Sequence, residues 1–158
     1  MASDVRVGSA AFGGPFVSLA LERGTELGLR IEAVYSHHSC SPGDLLGESA
    51  SGEVYAAEKE DTEGVMASVL LPLTHVGGSP LRLSLGVGVL RTVLRGHGVK
   101  NYQYEPVTDS NVAPALGAGL ELPVPFAGHA VVLTVRGAQL TSDKRGGGYL
   151  AAGVGWRW

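Results

Sequence analysis

The chain has 158 residues, of which 44% are apolar, 17% are charged and 24 are glycine, and its formal net charge is −3. The apolar content excludes a disordered chain, and glycine at about twice its usual share disfavours a helical bundle, because glycine destabilises helices. A net negative charge lacks the basic surface that nucleic-acid binding requires, so we expect no nucleic-acid partner. The length fits one domain spanning residues 1–158.

Alternation between apolar residues and small or charged residues predicts β-strands along the whole chain. Two weaker candidates come first and six clearly alternating segments follow; in chain order the eight predicted strands are 5–12, 16–23, 27–36, 64–73, 81–90, 112–122, 130–136 and 149–158. No helical segment is predicted. The most apolar window, 112–135, contains prolines that would break a membrane-spanning helix, so we interpret it as two strands joined by a tight turn.

The two faces of the predicted strands differ in chemistry. In 81–90, for example, Leu85 and Val87 lie on one face, and Gly86 and Gly88 lie on the other. A soluble sandwich would carry lysine, glutamate and threonine on its outer face, whereas a small closed barrel needs glycine to make room inside. The pattern therefore predicts an all-β fold, an eight-stranded antiparallel up-and-down transmembrane β-barrel whose apolar face contacts lipid. A soluble antiparallel β-sandwich or barrel that binds a partner is the alternative.

The connections between the predicted strands differ in length. Those at 24–26, 74–79 and 125–129 are short, whereas those at 37–62 and 97–110 are long. Outer-membrane barrels have short periplasmic turns and longer external loops, so both termini are predicted to be periplasmic. We expect the two long loops to contact an extracellular partner. All lysines fall between the predicted strands and all aspartates fall outside them, which agrees with strands that cross hydrocarbon.

The C-terminal strand carries the most specific motif in the chain. It ends in Trp158, with Trp156 two residues earlier and Gly153 three residues before that. This ending resembles that of the eight-stranded outer-membrane barrels of the OmpX and OmpA transmembrane type, although Ala151 stands where that family favours a polar residue. The resemblance implies a location in the bacterial outer membrane, a surrounding lipid bilayer, and an end strand that is read as a signal by the barrel-insertion machinery. Because the N terminus has no basic region followed by an apolar stretch, we expect the export signal to be absent from this sequence.

Charged residues on the predicted inner faces cluster toward the periplasmic end. A buried charge is costly unless it is paired, so we predict an arginine–glutamate network that plugs the lumen. An eight-stranded barrel is filled by its side chains, which disfavours a wide pore; a gate for small ions is the alternative role. The predicted lumen charge network consists of Arg6, Glu22, Arg30, Glu32, Arg82, Glu121, Arg136 and Arg157.

Candidate catalytic and metal-binding residues are few. His37 and Ser39 would share one strand face, as a base and a nucleophile require, and lipid A deacylases use a histidine, a serine and a glutamate on the lipid-facing side of a similar barrel. Here no acid is fixed by spacing, and Glu53 is only a candidate, so an outer-membrane lipid A-modifying hydrolase is the alternative to a non-enzymatic protein. His37 and His38 lack a third metal ligand, and the single Cys40 cannot form an intrachain disulfide. We therefore expect no catalytic residue, no metal and no cofactor, and a role in envelope structure or surface display.

Overall fold

The structure is a computed structural model that describes residues 2–10, 15–24, 27–39, 46–48, 54–100, 103–141 and 148–158. These residues form nine β-strands, and they contain no helix that is long and apolar enough to cross a membrane. The strands are β1 (Ala2–Ala10), β2 (Pro15–Arg23), β3 (Gly28–Ser39), β4 (Leu46–Glu48), β5 (Val54–Val76), β6 (Ser79–Lys100), β7 (Gln103–Phe126), β8 (His129–Leu140) and β9 (Gly148–Arg157).

Eight of these strands pair in a closed antiparallel ring. β1 pairs with β2, β2 with β3, and β3 with β5; the ladder then continues through β6, β7 and β8 to β9, which pairs with β1. The short β4 lies outside the ring and pairs with the start of β5. The prediction of an all-β antiparallel barrel is confirmed. A closed ring gives each strand two hydrogen-bonding neighbours, as a sheet placed in hydrocarbon requires.

Tight turns and both chain termini lie at one end of the ring, which we call the turn end. The turn between β5 and β6 is Gly77–Gly78, and the turn between β7 and β8 is Ala127–Gly128. All four residues have positive φ angles, from 48° to 83°, which a two-residue hairpin of this kind requires and which glycine adopts most easily. The predicted short connections lie at this end, although the strands on either side of the turns at 77–78 and 127–128 continue closer to those turns than predicted.

The two segments predicted as long loops are largely strand. In 37–62 the structure has the end of β3, β4 and the first part of β5, and in 97–110 it has the end of β6 and the start of β7. Lys59, Asp61 and Asp109 therefore lie within strands and not between them. This prediction was wrong because alternation marks only strands with one face in an apolar environment, and the outer parts of β5, β6 and β7 carry polar residues on both faces.

The distribution of polar and apolar side chains in the ring is the reverse of that in a water-soluble protein. Leu116, Val87 and Trp156 are 58%, 60% and 40% exposed on the outer wall. In the interior, arginine, glutamate, serine and threonine side chains are buried beside small and aliphatic ones. A soluble sandwich would bury the apolar face, so the soluble interpretation is wrong and the assignment of the two faces from alternation is correct.

Candidate functional site

The interior of the ring contains the charged residues that the sequence placed on the inner faces. Successive residues of a strand point to opposite faces, so every second side chain of each strand lines the interior. Seven of the eight predicted residues are at most 6% exposed, and Arg157, near the end of β9, is partly exposed. Six of them meet at the turn end, and we call these the turn-end cluster: Arg6, Glu22, Arg30, Arg82, Glu121 and Arg157.

Glu121 of β7 accepts hydrogen bonds from three arginines of this cluster. Arg6 Nη1 lies 2.5 Å from Glu121 Oε1, and Arg30 donates to both carboxylate oxygens. Arg82 Nη2 lies 3.4 Å from Oε2. Arg6 and Arg30 belong to β1 and β3, which are not neighbours of β7 in the ring. The carboxylate therefore links strands across the interior.

Glu22 of β2 is the second acceptor of the turn-end cluster. Arg30 Nη2 lies 2.8 Å from Glu22 Oε2, and Arg82 Nη1 lies 2.7 Å from Oε1. Arg157 also donates to Oε2. Because Arg30 and Arg82 each bind both Glu22 and Glu121, the cluster is one connected network and not a set of separate pairs. The fork of the guanidinium group suits this bridging of two carboxylates.

Arg136 and Glu32 form a separate ion pair further from the turn end. Arg136 Nη1 donates to Glu32 Oε1, and its guanidinium carbon lies 5.7 Å and 5.9 Å from the ring centres of Phe16 and Tyr149. The two ring centres are 5.4 Å apart. Cation–π contacts therefore add to the ion pair and hold the guanidinium group in place.

Apolar side chains fill the interior beyond this pair. Glycine makes room for the larger ones: a Cβ atom at Gly117 would lie only 2.8 Å from Cε of Met66. The ring interior is therefore occupied by a charged layer and then by an apolar layer. The buried apolar cluster contains Phe16, Val34, Met66, Leu90, Ala113, Ala115, Ala138, Leu140, Tyr149 and Ala151.

One charged residue of β1 was placed outside the strands by the sequence. Asp4 lies in β1, which begins at Ala2, whereas the predicted first strand began at residue 5. In the ladder between β1 and β9, Asp4 stands opposite Arg157. A longer predicted strand would have included it.

A second polar group lies on the outer wall, at the ends of β3, β5 and β6 furthest from the turn end. Asp61 Oδ1 accepts a hydrogen bond of 3.0 Å from the Tyr35 hydroxyl and lies 2.7 Å from His37 Nδ1, while Oδ2 lies 2.9 Å from Arg95 Nη1. We call these four residues the outer-wall cluster. Burial acts to raise the pKa of Asp61, but hydrogen bonds from His37 and Tyr35 and the charges of His37 and Arg95 hold that pKa below 3.8.

The two adjacent histidines do not form the metal pair considered from the sequence, because successive strand residues point to opposite faces. His38 stands opposite Glu60 in the ladder. Burial raises the pKa of Glu60, while the backbone N–H of Gly148 and the charge of His38 act against that shift. Among the residues that the structure describes, no group of three or more His, Cys, Asp or Glu is placed to hold a metal ion. Cys40 and Glu53 lie outside those residues.

Aromatic residues gather on the outer wall at the turn end. The Trp156 ring centre lies 6.2 Å from that of Phe126 and 5.3 Å from that of His129, and Trp158 is 57% exposed. Gly153 stands opposite Thr134 in the ladder with β8, on the inner-face series of β9. Amphipathic rings at one level of an apolar wall are typical of a membrane interface.

An open apolar groove of about 660 Å³ runs over the outer wall across β3, β5, β6 and β7. Ala67 is a small residue in its lining and stands between Ile31 and Val87 in the ladders. The groove therefore shares β3, β5 and β6 with the outer-wall cluster and lies nearer the turn end.

No protein-family model and no curated protein sequence matches the chain. Among solved structures, it is similar to Ail, the attachment invasion locus protein of Yersinia pestis, in complex with the heparin analogue sucrose octasulfate, at 13% identity and a TM-score of 0.59 over 99% of this chain and 94% of that one.

Two further structures share the architecture. The N-terminal β-barrel domain of Pseudomonas aeruginosa OprF matches at 10% identity and a TM-score of 0.56, over 99% of this chain and 96% of that one. Neisserial surface protein A matches at 13% identity and a TM-score of 0.51, over 99% and 94%. The chain therefore has the fold of the small outer-membrane β-barrels.

Proposed function

We propose that this barrel is anchored in the outer membrane of a Gram-negative bacterium and displays a protruding sheet to the exterior, with a filled lumen and no transport role. In this role the protein is non-enzymatic. The observation that carries the proposal is the reversed polarity of the ring: large apolar side chains cover the outer wall while paired charges fill the interior. Only a lipid environment makes that distribution favourable.

Unequal strand lengths support display at one end of the barrel. β5, β6 and β7 have 22 to 24 residues, whereas β2, β3, β8 and β9 have 9 to 12. A membrane strand needs about 9–11 residues, so the three long strands extend well beyond the hydrocarbon. They extend away from the tight turns, which is the exterior in outer-membrane barrels.

The protruding sheet extends beyond the ladder between β7 and β8. In the described part of the chain, β7 pairs with β6 from Gln103 onward, whereas its ladder with β8 begins at Ala115, next to a bond from Thr141 N to Pro114 O. The protruding part of β7 is therefore backbone in extended conformation. An extended segment of a partner protein could bind along this protruding sheet. The proposed extracellular partner thus binds the protruding sheet and not flexible loops 37–62 and 97–110.

The filled interior supports a structural role and not a pore. A small eight-stranded barrel has room for side chains only, and here both an ion-pair layer and an apolar layer occupy it. We propose that the network of eight charged residues plugs the lumen and ties the strands together.

The C-terminal strand supports assembly in the outer membrane. Trp156 and Trp158 lie on the outer wall, and Gly153 belongs to the inner-face series of β9. We propose that this strand is the signal read by the barrel-insertion machinery, and that the two tryptophans then anchor the barrel at the periplasmic interface.

Epitope insertion tests the proposed sidedness. A tag is placed at Asn101–Tyr102, between β6 and β7, in one variant and at Gly77–Gly78, between β5 and β6, in its matched control; both are exported with a signal peptide. We expect antibody to label the 101–102 variant on intact cells and to label the 77–78 variant only after the outer membrane is permeabilised. Both variants should run faster on a gel before boiling than after, as folded barrels do.

Labelling of the 77–78 variant on intact cells, with none of the 101–102 variant, would contradict the proposed orientation. A chain that remains in the aqueous fraction after export would contradict the membrane location.

A further inference from the structure

The side chain of Glu60 crosses the end of the ring furthest from the turn end, which we call the mouth. Glu60 belongs to β5 and stands opposite His38 of β3 and Leu94 of β6 in the two ladders. Its carboxylate accepts a hydrogen bond from the backbone N–H of Gly148, the first residue of β9. Three strands separate β5 from β9 on either side of the ring, so the two strands stand opposite each other. The contact therefore joins opposite walls of the barrel.

The two walls that this contact joins differ in height. β5 is one of the long strands of the protruding sheet, whereas β9 begins at Gly148. Gly148 stands opposite Gln139, and a Cβ atom on Gly148 would collide with the backbone of Ala138, so the donor N–H is held against the short wall. Since the interior of an eight-stranded barrel is as wide as several side chains, one glutamate reaches across only where the long wall leans inward. The outer part of β5 therefore leans over the mouth.

A row of small polar side chains covers the inner face of the protruding sheet, one step nearer the turn end than Glu60. Ser36, Thr62 and Thr92 are opposite one another in successive ladders and are 4%, 2% and 5% exposed. The hydroxyl oxygens of Thr62 and Thr92 lie 3.4 Å apart, and Asn111 of β7 continues the row. Serine and threonine side chains are mostly exposed in proteins, so a polar surface of this kind is unusual when it is buried. The closed mouth covers a surface that is suited to polar contacts.

We propose that Glu60 is a latch that controls access to this inner face. While its carboxylate binds the N–H of Gly148, the protruding sheet leans over the mouth and the polar row is covered. When the contact breaks, the sheet moves outward and the row becomes accessible to the extracellular partner. The control of partner access rests on the proposed display role, whereas the contact and the movement do not.

The latch is held by opposing effects. A hydrogen bond from a backbone N–H to a carboxylate is strengthened by the charge, and the charge of His38 also favours the ionised form of Glu60. Burial disfavours that ionised form, and Asp109, which stands opposite Leu94 on β7, adds a second negative charge at the mouth. Because these effects offset each other, the contact is suited to reversible opening.

Paired spin labels measure the width of the mouth. The labels are attached through the substitutions K59C and L150C, at exposed positions of β5 and β9, in a full chain that also carries C40S and is folded into phospholipid vesicles. Pulsed electron paramagnetic resonance should give a short, narrow distance distribution in this parent chain. E60D keeps the charge but is one methylene group shorter, so it should shift the distribution to longer distances and broaden it. E60A should do the same.

Two matched controls separate the latch from general effects of substitution. E60Q keeps the length of the side chain, and its amide oxygen accepts the same N–H, so the short distance should remain. E58A removes an exposed carboxylate of the same strand, which lies 2.8 Å from Nδ1 of His97, and it should leave the distance unchanged. Heat-modifiability on gels shows whether each variant has folded.

Thiol accessibility tests the covering of the inner face. In a chain that carries C40S and T92C, a water-soluble maleimide should react slowly at position 92, because Thr92 is buried in the closed mouth. Addition of E60D should accelerate the reaction, and addition of E60Q should not.

Two results would overturn the latch: an unchanged distance in folded E60D and E60A, or a shift in E58A as large as that in E60D. A reaction at position 92 that stays slow in E60D, although the distance has lengthened, would overturn the control of access. None of these results would alter the outcome of the epitope test, so failure of the latch is distinguishable from failure of the display role.

Discussion

At the residue scale, the turn-end cluster shows what a sequence can and cannot predict about a buried site. Arg6 and Glu121 could be placed on inner faces because each alternates with apolar neighbours. Their pairing could not be predicted, because they are 115 residues apart and belong to strands that do not pair with each other. Which charges meet depends on the closure and stagger of the whole ring, and neither is encoded in the pattern of one strand.

Neutralising Glu121 should strongly destabilise the barrel. E121Q leaves Arg6, Arg30 and Arg82 buried with one fewer carboxylate, and breaking a buried ion pair costs about 3–5 kcal/mol. We expect a loss of that order in the free energy of unfolding, measured by urea titration in phospholipid vesicles with tryptophan fluorescence.

The matched control for this prediction is E63Q. Glu63 pairs with Arg91 at 3.3 Å on the outer wall, where both side chains are 52% exposed. An exposed pair contributes about 1 kcal/mol or less, so the control should change stability little. Equal losses in the two variants would show that the turn-end cluster is not a stabilising network.

At the scale of elements, the long strands β5, β6 and β7 explain the main error of the sequence interpretation. The halves of these strands nearer the turn end alternate clearly between apolar and other residues, as in Val65, Ala67 and Val69 against Met66 and Ser68. The halves further from the turn end do not alternate, so they were predicted as loops. The same error concealed Asp61: as a loop residue it had no register, and only its strand position places it opposite His37.

The pKa values of the two carboxyl groups at the outer end of β5, Asp61 and Glu60, should be shifted in opposite directions. The lowered pKa of Asp61 means that its stabilising contacts persist above pH 3.8 and are lost as the pH falls through the lowered value. The raised pKa of Glu60 means that, as the pH falls, this carboxyl group is half protonated already at a pH above 4.5. Carboxyl ¹³C NMR in detergent micelles measures both, and D61N should remove the lower titration. A midpoint for Glu60 below that of Asp61 would contradict the described contacts.

At the scale of the whole molecule, the reversed polarity is the property that the sequence predicted best. It follows from a periodicity of two residues combined with the chemistry of each face, so no knowledge of pairing is needed. The two-layer filling of the interior could be predicted only in part. The charged layer is recognisable by its residue types, whereas the apolar layer, with residues such as Met66 and Leu90, requires the positions of strands from both sides of the ring.

The filled interior should prevent ion flow. In planar lipid bilayers at neutral pH, the protein should give a flat current trace, because the ion-pair layer and the apolar layer both occupy the lumen. A diffusion porin in the same lipid is the control for insertion and recording. Conductance steps of the nanosiemens scale would contradict both the plug and the structural role.

The ladder between β1 and β9 has a consequence for biogenesis. Every other ladder of the ring joins segments that are close in the chain, so each hairpin can form as soon as it is available. This seam alone joins the two extremes of the polypeptide, from Asp4 opposite Arg157 to Ala10 opposite Ala151. A chain that lacks its last strand would therefore be an open sheet with two unpaired edge strands. Such edges are unfavourable in a bilayer, because their backbone groups have no hydrogen-bond partners there. We therefore expect entry into the membrane to be coupled to the pairing of β9 with β1.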